Sequence, residues 1–76
     1  MKREDVKALH QDGKPFSTQV IRNPARPREW IVFFKLDSGR SFFLIDARDE
    51  VESFADLNKL IEELLKLGIK LAEIHF

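Results

Sequence analysis

The chain has 76 residues, with 13 lysines and arginines balancing 13 aspartates and glutamates, and it contains no cysteine. This length allows one domain with a small core, and the lack of cysteine excludes disulfides, thiolate metal sites and thiol catalysis. A net charge of zero argues against a strongly basic nucleic-acid-binding protein, and no apolar run is long enough for a signal peptide or a membrane span, so we expect a cytoplasmic protein with no membrane association.

The first 13 residues have a thin apolar pattern. Val6 and Leu9 are three residues apart, and Gly13 follows as a stop signal. A helix of about ten residues is marginal without tertiary contacts, so residues 1–13 are either a weak helix or a flexible arm. Residues 16–22, FSTQVIR, are rich in β-forming residues and predict the first strand.

The central part of the chain predicts a loop and two strands. Residues 23–29, NPARPRE, are predicted to form a loop, because two prolines remove amide donors and restrict the residues before them. Strands follow at 30–36, WIVFFKL, and at 41–46, SFFLID, joined by a turn containing Asp37 and Gly39. Both strands are apolar at consecutive positions, whereas a strand with one face in water alternates apolar and polar residues. The predicted sheet therefore has two apolar faces.

The last 24 residues carry the strongest structural pattern. Ser53 and Asp56 have the spacing of a capping box at the start of a helix. Apolar residues then recur at helical spacing: Leu57, Leu60, Ile61 and Leu64. Gly68 is placed to end the helix in a left-handed conformation. Residues 72–76, AEIHF, alternate apolar and polar side chains and predict a final strand.

These elements predict a single α+β domain over residues 1–76, in the order (α)βββαβ. The expected architecture is an antiparallel three-stranded meander extended by a C-terminal strand, with one main helix packed on one sheet face. A right-handed crossover favours a last strand that runs parallel to its neighbour, beside the first strand; an edge position beside the third strand is the alternative.

Residues able to perform catalysis form no known pattern. His10 and His75 have no metal-binding spacing, and the serines lack a nucleophile-elbow sequence. One acidic group lies in the link before the main helix, at Asp46, Asp49, Glu50 and Glu52. It lacks the glycine of an EF-hand loop, which favours a solvated link. We therefore predict a protein that is not an enzyme and has no catalytic residue, cofactor or metal ligand.

The second apolar sheet face predicts a protein interface. One helix covers one face, and the N-terminal segment offers little to cover the other. We expect the uncovered face to present Ile31, Phe33, Phe42 and Leu44. Because a contiguous apolar patch of several hundred Å² usually marks an interaction site, the sequence predicts a non-enzymatic interaction module, a homodimer through this face or a complex with another protein. The alternative is that the N-terminal segment covers the face.

Nucleic-acid binding is the alternative function. Residues 1–40 carry nine basic and five acidic residues, and residues 41–76 carry four basic and eight acidic ones. Such a chain either presents two oppositely charged surfaces or interleaves its charges on folding. The cations that we expect to contact phosphates lie around the predicted loop: Lys14, Arg22, Arg26 and Arg28. Acidic residues before the main helix distinguish the chain from double-stranded-RNA-binding domains, whose corresponding helix begins with basic residues.

Most of the chain resembles a group of small bacterial accessory domains of largely unknown function, some of them associated with plasmid partition and other mobile elements. The resemblance lies in the segments KPFSTQVIRNPARPREWIVFF and GRSFFLIDARDEVESFADLNKLIEELLKLGIKLAEIHF, through their hydrophobic pattern, hairpin glycine and L-G-I helix end. It implies a bacterial cytoplasmic protein that works through partners, and it implies no catalytic residues.

Overall fold

A computed structural model describes all 76 residues and confirms the predicted α+β class. In chain order the elements are α1 (Arg3–Gln11), β1 (Phe16–Asn23), β2 (Arg26–Leu36), β3 (Ser41–Phe43), α2 (Leu57–Lys66) and β4 (Glu73–Ile74). The four strands form one sheet in the order β3-β2-β1-β4. The first three strands are antiparallel, and β4 pairs in parallel with β1, the arrangement favoured by the crossover rule.

The β1–β2 hairpin forms the centre of the sheet and is longer than predicted. Residues 23–29 were expected to be a loop, but β2 begins at Arg26 and Asn23 pairs with it across a two-residue turn. The side chain of Asn23 stabilises this turn by accepting a hydrogen bond of 3.0 Å from the amide of Ala25. The register shifts before Asn23, since Arg22 pairs with Trp30. Pro27 therefore lies in the irregular part of the ladder, where its missing amide donor breaks no paired position.

Both helices pack on the same face of the sheet. The core consists of Val6, Val20, Trp30, Val32, Phe34, Leu44, Leu60, Leu64, Leu67 and Ile69. Val6 is the buried residue of α1, and Leu60 and Leu64 are those of α2. Because Val6 belongs to this core, α1 adds to the layer that contains α2 and does not cover the opposite face.

Ion pairs and backbone hydrogen bonds order the N-terminal segment, which is a helix and not a flexible arm. The Arg3 guanidinium contacts Glu52 at 2.6 Å and Glu63 of α2 at 3.1 Å. Before the helix, the Met1 ammonium donates to the carbonyl of Phe43 at 3.1 Å, and the Met1 carbonyl accepts from the amide of Ile45 at 2.9 Å. These contacts connect the basic first half of the chain to the acidic second half.

The cap of α2 differs from the predicted one. Ser53 was expected to cap the helix, but the N-cap is Asp56, whose carboxylate accepts a hydrogen bond of 2.9 Å from the amide of Asn58. The Ser53 hydroxyl instead accepts from the Asn23 side chain at 3.0 Å. Phe54 forms two backbone hydrogen bonds of 2.8 Å with Trp30, which hold the preceding segment extended. The helix therefore begins three residues later than the capping-box spacing indicates.

The two candidate caps can be separated by substitution. Asp56→Ala should lower the free energy of unfolding by about 1 kcal/mol, because it leaves an amide of the first helical turn without a partner. Ser53→Ala should lower the free energy of unfolding less, since the Ser53 hydroxyl hydrogen-bonds Asn23 of the β1–β2 turn and not the helix. Denaturant unfolding followed by circular dichroism measures both effects. A larger loss of helix stability in Ser53→Ala would contradict the assignment of Asp56 as the cap.

Glu63 makes stability depend on pH. Partial desolvation acts to raise the pKa of Glu63, but the hydrogen bond and charge of Lys66, followed by those of Arg3, outweigh it and lower the pKa below its ordinary value of 4.5. For Arg3, desolvation acts to lower the pKa, and the hydrogen bonds and charges of Glu52 and Glu63 outweigh it and raise the pKa. A carboxylate with a lowered pKa stabilises the fold above its unfolded pKa, and this contribution is lost as the pH falls through the folded pKa.

Glu63→Gln should therefore lower the free energy of unfolding at pH 7 by roughly 0.5–1 kcal/mol, a small value because the pair is partly exposed. The difference from the unsubstituted protein should shrink as the pH falls below 4.5. Urea unfolding at a series of pH values measures it. Glu62→Gln is the matched control, since Glu62 is an exposed neighbour outside the ion pairs. An equal effect of both substitutions would contradict the role of the Glu63 contacts.

Candidate functional site

The sheet face that points away from both helices is called the open face below. Strand pairing places Ile21 opposite Ile31, and Phe33 opposite Phe43. Residues directly opposite each other in an antiparallel pair lie on the same face, and residues two apart along a strand do so as well. The apolar side chains of the open face are therefore Ile21, Ile31, Phe33 and Phe43.

Two phenylalanines form the accessible part of the open face. The rings of Phe33 and Phe43 meet edge to face with 5.7 Å between their centroids. The exposed fraction of Phe43 is 41%, and Phe33 is half-buried. Ile31 was predicted to be presented on this face, but it is only 5% exposed although it lies outside the core that contains the helices, so that prediction is wrong. The surface that a partner would contact is thus centred on the aromatic pair.

Two of the four residues predicted for this face lie on the other side. Phe42 pairs with Phe34, and Leu44 is 1% exposed within the core that contains both helices. The assignment of Phe42 and Leu44 to the uncovered face is wrong, and Phe43 takes their place. The physical reason is that residues 42–45, FFLI, are all apolar, so the pattern does not show which alternate residues face the helices. The register of the β2–β3 hairpin decides which face each of these side chains lies on.

Polar side chains border the aromatic pair. Gln19 pairs with both Phe33 and Glu73, so it lies between the apolar part and β4. Its side-chain oxygen is 2.7 Å from His75 Nε2, which is also 3.6 Å from the Glu73 carboxylate. Lys35 is exposed on the same face, at the position opposite Ser17. The rim of the open face therefore contains charges of both signs.

The predicted nucleic-acid contacts do not form one surface. Arg22, Arg26 and Arg28, called the arginine hairpin below, lie together where β1 turns into β2. Lys14 precedes the other end of β1, and the run from Phe16 to Arg22 spans roughly 20 Å of extended strand. The structure therefore separates Lys14 from the three arginines.

The three arginines differ in their contacts. The Arg22 guanidinium lies 4.4 Å from the centroid of the Trp30 ring and donates to the carbonyl of Pro27 at 3.0 Å. Arg26 is 3.8 Å from the Glu29 carboxylate. Arg28 is exposed and forms none of the ion pairs. Arg28 is thus the cation of this hairpin without an ion-pair or cation–π partner, and Arg26 is held only by one ion pair of 3.8 Å.

A second apolar surface was not predicted from the sequence. Between α2 and the C-terminal segment, a groove of about 190 Å³ is lined mainly by apolar residues, including Ile61, Leu65 and Leu71. Leu65 is 59% exposed, and Ile61, expected on the buried helix face, is also exposed. The sequence does contain a signal for this surface. Ile61 and Leu65 are four residues apart, so they form a second apolar row on α2 beside the one that packs in the core.

Acidic side chains and histidines are too dispersed to form a metal site. The structure contains no group of three or more histidine, cysteine, aspartate or glutamate side chains placed to hold a metal ion. The acidic group of residues 46–52 forms a turn in which the Asp46 carboxylate accepts from the amides of Arg48 and Glu50. Neither helix has the length and apolar character needed to span a lipid bilayer.

Comparison of the chain with models of protein families gave no match, and searches of curated proteins and of solved structures gave none either.

Proposed function

We propose that the protein is a non-enzymatic interaction module that forms a homodimer through the open face. The observation that carries this proposal is the position of Val6, because its burial in the same core as Leu60 and Leu64 places both helices on one side of the sheet. Phe43 is left exposed and Phe33 half-buried, with no helix over them. The absence of cysteine is compatible with a reducing compartment, and the cytoplasm is part of this proposal.

The composition of the open face fits an interface. Protein interfaces combine an apolar centre rich in aromatic residues with a polar rim. Here the aromatic pair of Phe33 and Phe43 forms the centre, and Gln19, Lys35 and Glu73 lie on the rim. Both signs of charge in the rim allow two identical faces to meet with opposite charges paired, as a two-fold dimer requires.

The size of the protein sets the expected affinity. A stable interface buries about 800 Å² per partner, which is about 15% of the 5293 Å² accessible surface of this chain. The aromatic pair is too small to supply this area alone, so polar rim residues must form much of the contact. We therefore expect a dissociation constant in the micromolar range, below the affinity of obligate dimers.

Phe43→Asp tests the dimer. It places a charge at the centre of the interface and should shift the protein from dimer to monomer at concentrations near 100 μM, an order of magnitude above the expected dissociation constant. Light scattering and sedimentation equilibrium measure the mass, and circular dichroism checks the fold. Phe43 suits the test because it is already 41% exposed. Phe33→Asp should have the same effect on mass.

Leu65→Asp is the matched control, because it places the same charge in the second apolar surface, at a residue that is 59% exposed. It should leave the dimer intact. A protein that stays monomeric at high micromolar concentration would contradict the proposal. Dissociation by Leu65→Asp, with Phe43→Asp still dimeric, would assign the interface to the groove beside α2 instead.

The second candidate function is nucleic-acid binding by the arginine hairpin. It is favoured by the concentration of three guanidinium groups at one end of the sheet, with Glu29 the one carboxylate paired to them. Cations placed in this way contact phosphates without reading sequence, and such binding weakens steeply with salt.

Titration of labelled duplex and single-stranded oligonucleotides at two salt concentrations tests this candidate. Binding that involves two phosphate contacts should lose affinity as the salt concentration rises. Arg26→Ala combined with Arg28→Ala should lower the affinity and should reduce the slope of log K against log salt concentration by about two. Arg48→Ala with Lys59→Ala removes the same charge elsewhere and should change little. No binding at low salt, or equal losses in both double variants, would contradict a nucleic-acid site at the hairpin.

A further inference from the structure

A cleft of about 390 Å³ opens at the end of the domain where both helices finish. One wall is the segment between α1 and β1, with His10 and Lys14, and the other is the segment between α2 and β4, with Gly68 and Lys70. The His10 ring lies 3.0 Å from the position that a Cβ atom on residue 68 would occupy. Gly68 also has a φ of +86°, so glycine permits both the turn and the close approach of the walls.

The cleft is also lined by apolar side chains and by one buried threonine. Phe16 and Ile69 line it, and Ile69 is buried. Thr18 lines it as well and is the only polar residue among the buried ones, with 4% of its surface exposed. A threonine hydroxyl beside a cleft can donate a hydrogen bond to a ligand that enters it.

The polar part of the wall is cationic. Lys14 and Lys70 take part in none of the ion pairs of the structure, whereas Lys2 and Lys66 do. None of the residues that line the cleft is acidic. In a chain with equal numbers of basic and acidic residues, two unpaired ammonium groups around one cleft create a local excess of positive charge.

The C-terminal ends of the two helices lie beside the cleft and are groups with which the lysines can interact. A helix C-terminus carries about half a negative charge and attracts cations. However, carbonyl groups in the last turn of α1 already accept hydrogen bonds from the amides of Asp12 and Lys14, and those of α2 accept from the amides of Leu67 and Ile69. The lysine ammonium groups therefore keep their donors available for a ligand.

From this arrangement we propose that the cleft binds a small organic anion, in which a phosphate or carboxylate group is joined to an apolar body. The ammonium groups of Lys14 and Lys70 hold the anionic group through charge-assisted hydrogen bonds. The apolar body packs on Phe16 and Ile69. The cleft shares no residue with the aromatic pair of the open face, so ligand binding and dimer formation can be tested separately.

The test is a titration of the full chain followed by backbone amide NMR shifts, with phenyl phosphate, benzoate, benzyl alcohol and inorganic phosphate as probes. Phenyl phosphate or benzoate should shift amides near Thr18 and Ile69 in a saturable way, and the stronger of the two identifies the preferred anionic group. The neutral alcohol should leave these amides unchanged. Inorganic phosphate should bind at least about tenfold more weakly than phenyl phosphate, because it has no apolar body.

Lys14→Gln combined with Lys70→Gln should weaken binding of the preferred aromatic anion by about tenfold or more. The matched control is Arg48→Gln with Lys59→Gln, which removes two exposed cations that lie outside the cleft and outside the ion pairs. It should change the affinity by less than about twofold. Equal weakening in both double variants, equal binding of benzyl alcohol, or no saturable shift at millimolar probe would overturn the proposal.

Discussion

The burial of Val6 in the core that also contains residues of α2 sets which face of the sheet stays open. This contact, supported by the ion pairs of Arg3 with Glu52 and Glu63, fixes α1 on the same side of the sheet as α2. Two consequences follow from the one placement. The opposite side of the sheet has no helical cover, and the ends of both helices come together above the start of β1, where they form the walls of the cationic cleft.

The sequence predicts the elements well where two signals agree. The helix α2 has apolar periodicity, an acidic cap region and Gly68 at its end, and the β2–β3 hairpin has Gly39 in a left-handed conformation. The parallel position of β4 beside β1 follows from crossover geometry. Prediction fails where contacts between distant residues decide where a helix or strand begins. Phe54 pairs with Trp30 and moves the start of α2, and the Asn23 turn replaces a predicted loop with a hairpin.

The candidate sites show the same division. An uncovered apolar face was foreseen from consecutive apolar residues, but Phe42 and Leu44 were placed on it because the run of residues 42–45 has no polar member to mark its phase. The cationic cleft was not foreseen, because Lys14 and Lys70 are 56 positions apart in the chain and meet only through the packing of two connecting segments. Lys14 was instead grouped with the arginines that are near it in sequence, and a strand separates them.

Met1 has a consequence for how copies of the chain can associate. Its ammonium and carbonyl groups bind the backbone at the end of β3 and just beyond it, at Phe43 and Ile45. An unprotected edge of a sheet is a template for strands of other molecules, and a chain joined in that way can continue growing into a fibre. With part of this edge occupied by Met1, strands of other molecules find fewer unpaired backbone groups there.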